Sequence, residues 1–421
     1  MHRRKVVFAT NIAETGITIE GIRFVVDAGM IFLFVTSIFY CCFSPIIFIL
    51  QGLVKLNYFD ARSGMDSLIC THASKASYAQ RAGRAGRTQP GKCFRLMTEE
   101  SFRDLIPANL LPEMQRSDIS WAVLQLKALG IDNVLRFDFI SPPSADMMIY
   151  ALELLYSLGA LDNDGDLTED GEKMADMPIE PRLARCLLSS IDMGCSDELL
   201  SIAAMCSIDN PFIKQRSTAS KESKKRLQEC METFVSYKGD HLTLLNIYEG
   251  YASANFERSW CDQYCIQSRL MQRAREMRRN LERLLARVLG EGMIFASCQE
   301  DFECVQRCLV TGYFSNAAQL SPDGSYRTIR GRCRVGVHQT SIYHRFGTLP
   351  EWIIFHELVH IKESTARDIT KVDPRWFLEL ASHYYGLSEA GQGAAVDDTD
   401  TSLHKNIGSQ SHTTTTAPFV L

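Results

Sequence analysis

The sequence predicts a multidomain chain of 421 residues, with an α/β region first, a helical region next and a β-rich region last. Near the start, Val6–Ala9 and Ile22–Val26 are apolar, β-branched runs, which favour buried parallel strands joined by a crossover. Residues 172–295 have a helical pattern, whereas residues 300–385 favour short strands that close into a small barrel. A hydrophobic content of 46% is ordinary for globular proteins, so each region has enough apolar residues for its own core.

Local patterns place further elements within these regions. Thr10 and Asn11 follow the first predicted strand, at the strand end where α/β sheets carry their ligand-binding groups. The stretch Tyr58–His72 alternates around Ser63-Gly64, which predicts a β-hairpin. One long helix is predicted to bury a face made of Leu270, Ala274, Met277, Leu281, Leu284 and Val288.

The most informative segment is Gln80–Arg87, which reads Gln-Arg-Ala-Gly-Arg-Ala-Gly-Arg. On a continuous helix, Gln80, Arg84 and Arg87 share a stripe about 60° wide. Two guanidinium groups on one face suit a polyphosphate, because each binds phosphate oxygens bidentately. The two glycines leave room beside the stripe for a bulky anion. The alternative is a solvated basic helix, which two interior glycines disfavour.

Several segments resemble one family. Gln80–Arg87 is similar to motif VI of superfamily 2 helicases, in the form found in DEAH-box RNA helicases, and Ala9–Glu20 resembles motif V. Pro112–Arg116 and Leu124–Gly130 resemble the winged-helix module of that family, and Gly239–Asn246 resembles its helical ratchet. Gly312–Ala318 with Tyr326–Arg330 resembles its OB-fold. The resemblance covers roughly residues 4–30 and 54–385 and is greatest to the spliceosome-associated branch.

The resemblance implies an order of domains. Residues 1–105 would be the C-terminal part of a second RecA-like domain, and residues 106–171 a winged helix. Residues 172–295 would be a helical ratchet bundle, and residues 296–385 an OB-fold. The tail at 386–421 is rich in Gly, Ser and Thr and is expected to be disordered.

The resemblance also assigns roles. Gln80, Arg84 and Arg87 would contact the β- and γ-phosphates of ATP, with both arginines as arginine fingers. Thr18 and Glu20 would lie near the nucleotide and its Mg²⁺-bound water, although Glu20 stands where the family has Asp. Thr10 and Asn11 would bind the backbone of single-stranded RNA without regard to sequence.

What the sequence does not contain matters equally. It has no G-x-x-x-x-G-K-[ST] segment and no Asp-Glu-Ala-His, the motifs that the family keeps on its first RecA-like domain. We expect that domain, with the main Mg²⁺ ligands, to lie upstream of Met1. One hypothesis is that the chain belongs to an ATP-dependent RNA helicase and is inactive alone. The other is a non-catalytic RNA- or protein-binding product.

The implied setting is pre-mRNA splicing in the nucleus, with a further presence in the cytoplasm left open. Expected partners are RNA and either spliceosomal proteins or an activating protein, and no membrane. The net charge of −5 requires any RNA site to be a local patch. Seven arginines between Arg269 and Arg287 offer one such patch, unless they form only a solvated helix face. The fourteen cysteines contain no C-x-x-C pair and are expected to be reduced thiols.

The segment Ile31–Leu53 contains no charged residue, so on its own it is a candidate membrane span. It lies between a predicted core strand and the predicted hairpin, where a spanning helix would interrupt a packed sheet. We therefore expect an insertion foreign to the fold, which could be deleted without loss of structure. A buried apolar element and a membrane segment are the alternatives.

His356-Glu357-Leu358-Val359-His360 matches the H-E-x-x-H motif of zinc peptidases, with Glu379 at a spacing that suits a third ligand. That motif requires a helix. Ile353, Ile354, Val359 and Ile361 favour a strand, in which Glu357 would point away from both histidines. The sequence therefore predicts no metal site here, and zinc peptidase activity is a distant alternative.

Overall fold

The structure is a computed structural model that describes residues 6–9, 21–27, 46–49, 53–87, 89–213, 220–290, 295–299, 301–346, 348–360, 363–386 and 419–420. The chain divides into two compact units. The first consists of Met1–Asp60, Asp66–Ser117 and Phe139–Ser144. The second consists of Ala61–Met65, Asp118–Asp138 and Ala145–Leu421.

The first unit contains a parallel sheet. The elements of this unit are β1 (Val6–Ala9), β2 (Phe24–Asp27), β3 (Ile46–Ile49), β4 (Leu53–Asp60), β5 (Met65–His72), α1 (Lys75–Ala82), β6 (Lys92–Arg95) and α2 (Glu99–Asp104). Four strands pair in the order β1-β3-β2-β6, all parallel. Ile22, Val25 and Ala85 form a small core against this sheet. The prediction of parallel strands near the start is confirmed.

Strand β3 corrects the prediction for residues 31–53. Ile46–Ile49 pairs with β1 on one side and with β2 on the other. These four residues are therefore part of the sheet and not foreign to it, because β-branched isoleucines suit a strand with neighbours on both sides. Leu53 begins β4. The remainder of that segment lies outside the described residues.

Hydrogen-bonded neighbours β4 and β5 are joined by a turn at residues 61–64, which confirms the hairpin and extends its first strand back to Leu53. Gly64 occupies the turn with φ +67°, a backbone conformation that glycine adopts without strain. Within the described part of the chain, no helix combines the length and the apolar character that a membrane span requires.

The second unit begins with helices. They are α3 (Ser120–Ala128), α4 (Ala145–Ser157), α5 (Glu169–Ala175), α6 (Pro181–Asp192), α7 (Ser196–Cys206), α8 (Lys221–Glu232), α9 (Asp240–Ser253), α10 (Arg258–Gln263), α11 (Ser268–Leu289) and α12 (Phe302–Tyr313). Helices α6 and α12 pack closely, since a Cβ on Gly312 would lie 2.6 Å from the Cys186 Sγ. The helical character predicted for residues 172–295 is confirmed.

The buried face of α11 differs from the predicted one. Ala274 and Leu281 are fully buried as expected, but Met271 and Leu285 replace Leu270 and Leu284 as the buried neighbours. On the same helix, Arg278 ion-pairs with Asp197 and donates to the Ser201 hydroxyl at 3.0 Å, so its side chain contacts α7.

A β-barrel follows the helices. Its elements are β7 (Ala317–Leu320), β8 (Tyr326–Thr328), β9 (Arg334–Val337), α13 (Ile342–Phe346), β10 (Trp352–His360) and β11 (Ser364–Lys371). Pairing runs β7-β8-β9-β11-β10 and returns from β10 to β7, so the five strands close. Ile353, Phe355 and Ile369 are among the residues that fill the interior. The prediction of a small barrel is confirmed.

The chain after the barrel forms α14 (Arg375–Leu380) and β12 (Tyr385–Gly386). Strand β13 (Phe419–Val420) pairs in parallel with β12. Three residues of the tail predicted to be disordered, Gly386, Phe419 and Val420, thus lie in strands, and residues 387–418 lie outside the described ranges.

Candidate functional site

The motif at Gln80–Arg87 is fixed to the sheet by a buried ion pair. The Arg81 Nε donates to the Asp27 Oδ2 at 2.8 Å, and both side chains are almost completely buried. The Arg81 guanidinium also lies 4.5 Å from the centre of the Tyr78 ring. Because Asp27 ends β2, this pair fixes α1 against the carboxyl end of the sheet, the edge where α/β proteins bind ligands.

The prediction of a single continuous helix from Gln80 to Arg87 was wrong. Helix α1 ends at Ala82, and Gly83–Gly86 forms a 3-10 helix. Two glycines destabilise the α-helix here, and short 3-10 turns are common where an α-helix ends. Arg84 and Arg87 are still one turn apart, because residues three apart align on a 3-10 helix.

The predicted phosphate-contacting side chains differ in depth. Gln80 and Arg87 are exposed, whereas only 7% of Arg84 is exposed. A Cβ on Gly83 or Gly86 would meet nothing within 4 Å in the described part of the structure, so the space beside the turn is open. Burial of Arg81 and Arg84 excludes the interpretation of this segment as a purely solvated basic helix.

Gly91 packs closely against the backbone of the same turn and of Arg23. A Cβ there would lie 2.6 Å from the Arg23 carbonyl oxygen and closer still to the Ala85 carbonyl oxygen. Lys92 donates its backbone N–H to that Arg23 oxygen at 2.8 Å. Gly91 was not among the predicted site residues, although the Pro90-Gly91 pair, separated from the motif by Thr88 and Gln89, is a turn signal that marks it.

We expect Gly91→Ala to lower the free energy of unfolding by about 2 kcal/mol, because a methyl group must displace two backbone carbonyls. Gly86→Ala is the matched control and should change that free energy by less than about 0.5 kcal/mol, since its methyl group enters open space. Urea denaturation of the two variants tests this. Equal effects would show that the packing around Gly91 is not as the structure has it.

The remaining predicted site residues, Thr10, Asn11, Thr18 and Glu20, lie outside the described residues. Strand β1 ends at Ala9, directly before Thr10. Their predicted contacts with RNA, nucleotide and Mg²⁺-bound water therefore stay predictions.

The H-E-x-x-H segment lies in strand β10, as its β-branched residues predicted. Glu357 ion-pairs with Arg367 at 2.8 Å, and the exposed His360 ring bonds to the Ser364 hydroxyl at 2.9 Å. The His356 Nδ1 lies 2.6 Å from the Tyr313 hydroxyl. The glutamate and the two histidines thus have separate partners, and the geometry that a zinc peptidase needs is not formed.

A second cluster of polar groups includes Asp240 and His241, which were noted in the sequence only as part of the segment that resembles the helical ratchet. The two carboxylate oxygens of Asp240 accept backbone N–H groups from Ile342 at 2.9 Å and from Ile369 at 2.8 Å. The neighbouring His241 is fully buried, with its Nδ1 2.8 Å from the Thr370 hydroxyl. The first turn of α9 is thereby bound to the barrel.

Burial dominates the electrostatics of this cluster. It raises the pKa of Asp240 to about 7, with nearby Asp368 as the second cause. Burial also lowers the pKa of His241 to about 4, with His356 as the second cause. The His241 imidazole is therefore neutral at physiological pH.

Comparison with known proteins agrees with this layout. Residues 1–89 match the helicase conserved C-terminal domain, and residues 151–179 and 180–244 match the winged-helix and ratchet-like helicase-associated domains. Residues 305–384 match an oligonucleotide/oligosaccharide-binding (OB) fold. The chain is 41% identical over 390 residues to the pre-mRNA-splicing factor ATP-dependent RNA helicase prp22 of Schizosaccharomyces pombe.

The chain corresponds to the C-terminal part of the DEAH-box RNA helicases. It is also 42% identical over 403 residues to the human protein named "Probable ATP-dependent RNA helicase DHX35". These two alignments cover 92% and 94% of the chain, but only 31% and 52% of the respective helicases. The chain thus spans between about a third and about half the length of these DEAH-box relatives.

Proposed function

We propose that this chain supplies the second half of an ATP site and the RNA-binding modules of an ATP-dependent RNA helicase that acts in pre-mRNA splicing. The anchored turn at Gly83–Gly86 carries the proposal. It presents Gln80 and Arg87 to solvent beside open space, while the Arg81–Asp27 pair keeps it in place. A preorganised pair of guanidinium groups is what stabilises charge on a transferring phosphoryl group.

In this proposal Gln80, Arg84 and Arg87 bind the β- and γ-phosphates of ATP. Arg84 is the less mobile finger, because its burial restricts its rotamers, whereas Arg87 is exposed to solvent. Thr18 and Glu20 stand near the nucleotide by their match to motif V. Mg²⁺ would neutralise phosphate charge during transfer, and by the family resemblance its main ligands would be carried by a first RecA-like domain.

In this proposal RNA contacts are made by Thr10 and Asn11 in the first unit and by the helical bundle and the barrel in the second. Five of the seven arginines on α11 are exposed and available to phosphates: Arg269, Arg273, Arg279, Arg283 and Arg287. Arg275 and Arg278 are used within the protein, by Phe256 stacking and by the Asp197 ion pair. Backbone contacts of this kind hold any sequence, which suits a motor protein.

The splicing role rests on the name of the prp22 relative. This name supports the nucleus as the proposed location, and the proposed partners are single-stranded RNA and either spliceosomal proteins or an activating protein. The competing candidate is a non-catalytic RNA- or protein-binding product, and the observation that favours it is the absence of a P-loop from the sequence.

We expect the chain alone to hydrolyse no ATP above background, because it carries no P-loop and no Asp-Glu-Ala-His. Fused behind a P-loop domain from a DEAH-box relative, it should become an RNA-stimulated ATPase. Turnover measured with and without RNA tests this, and the fusion with its P-loop lysine replaced is the control. A folded fusion that binds RNA without ATP turnover would favour the non-catalytic product.

A further inference from the structure

Three potential metal ligands meet where the helical bundle contacts the barrel. Cys206 ends α7, His241 lies in the first turn of α9, and His356 lies in β10. One donor atom from each of these residues lies within 4.8 Å of the others. No local motif joins them, since they are 35 and 115 residues apart in the sequence.

The two imidazoles are held in the orientation that a metal site requires. The His241 Nδ1 bonds to the Thr370 hydroxyl at 2.8 Å, and the His356 Nδ1 bonds to the Tyr313 hydroxyl at 2.6 Å. Histidines that bind metals almost always use one ring nitrogen for the metal and the other for such an outer partner. The Nε2 atom of each ring is therefore not used in these two hydrogen bonds.

The environment of the His241 Nε2 is a second observation that indicates a bound ion. It is buried and has no hydrogen-bond partner among the residues that the structure describes. An unsatisfied buried polar atom costs about 1–3 kcal/mol, so its persistence requires a reason. A cation between the three residues would satisfy this nitrogen.

We propose that Cys206, His241 and His356 bind one Zn²⁺ ion that ties the helical bundle to the barrel. One thiolate and two imidazoles are ligands that zinc accepts, with a water in the fourth position. Binding releases the Cys206 thiol proton to solvent and forms a Zn–S bond and two Zn–N bonds. Donor atoms around zinc are roughly 3.5 Å apart, so the side chains close by up to about 1 Å.

The surroundings allow entry and balance the charge. Cys206 lines a cavity of about 60 Å³ that is largely apolar but includes Asp209, Asn210, Arg367 and Asp368, so the ion can enter beside polar groups. The Glu180 Oε2 lies 3.6 Å from the His356 Nε2. With one thiolate bound, this carboxylate offsets the remaining positive charge of the dication.

Metal analysis of the purified chain tests the proposal. The protein is stripped with a chelator, reconstituted with Zn²⁺ or Co²⁺ and dialysed. We expect about one equivalent of bound metal, a thiolate-to-cobalt charge-transfer band, and a higher Tm with zinc. Cys206→Ser and His356→Gln should each weaken binding at least tenfold and abolish both the band and the Tm increase.

Two matched variants serve as controls. His360→Gln removes the other histidine of the H-E-x-x-H segment, and Cys333→Ser removes another half-buried thiol; both should bind metal as the native chain does. Circular dichroism and the metal-free Tm show whether each variant folds. Cys206→Ala is used if Cys206→Ser does not fold. Reconstitution without bound metal, or binding that survives in Cys206→Ser or Cys206→Ala, would refute the site. Loss of binding in His360→Gln would assign the metal to the peptidase-like motif instead.

Discussion

Replacement of Arg87 by alanine should lower kcat for ATP by roughly 10³-fold or more in the fusion with a P-loop domain, as expected for an arginine finger. That loss corresponds to about 4 kcal/mol of transition-state stabilisation. Because Arg87 is exposed, its removal should leave the Tm unchanged. Arg84→Lys is the companion variant, since it keeps a charge at the more buried position but removes the bidentate guanidinium.

Arg103→Ala is the control for Arg87→Ala. It removes another exposed arginine of the same unit, whose side chain forms an ion pair with its neighbour Asp104. It should leave both kcat and the Tm unchanged. Thr10→Ala combined with Asn11→Ala should show the reverse of Arg87→Ala, with weaker RNA binding at all sequences alike. An unchanged kcat in Arg87→Ala would remove this residue from the phosphate site.

Arg81→Ala should destabilise the first unit by about 3–5 kcal/mol, because it leaves the buried Asp27 carboxylate without its guanidinium partner. Unfolding followed by chemical denaturation measures this loss. Arg87→Ala, six residues further on, is the exposed control. Turnover in the fusion should also fall with Arg81→Ala, through loss of the anchored turn and not through loss of a phosphate contact.

A double-mutant cycle separates the ion pair from other contacts of Arg81. Arg81→Gln combined with Asp27→Asn restores a neutral hydrogen-bonded pair and should be less destabilising than the sum of the single changes. Strict additivity would mean that the two side chains do not interact. Native stability in Arg81→Ala with lost turnover would instead make Arg81 a catalytic residue and overturn the assignment of the phosphate-facing side chains.

The sequence predicted well wherever local chemistry decides the structure. Isoleucines and valines around His356 favoured a strand over a helix, and β10 is that strand. Alternation around Ser63-Gly64 predicted a hairpin, and the turn at residues 61–64 joins β4 to β5.

Prediction failed where distant residues decide. The helical stripe did not include Arg81, and no local pattern joins this residue to its partner Asp27, which is 54 residues away. Ile46–Ile49 could not be recognised as a sheet strand, since an uncharged apolar run has the same composition in a strand, an insertion or a membrane span. The cluster of Cys206, His241 and His356 exists only once the bundle and the barrel have folded.

Asp240 has a mechanical consequence. One carboxylate accepts N–H groups from the start of α13 and from the middle of β11, while its own residue begins α9. A single side chain thus joins three elements. A displacement of α9 along its axis would strain both hydrogen bonds to the barrel. The bundle and the barrel match separate family models in sequence comparisons. We nevertheless expect a force on one of them to be transmitted to the other through Asp240.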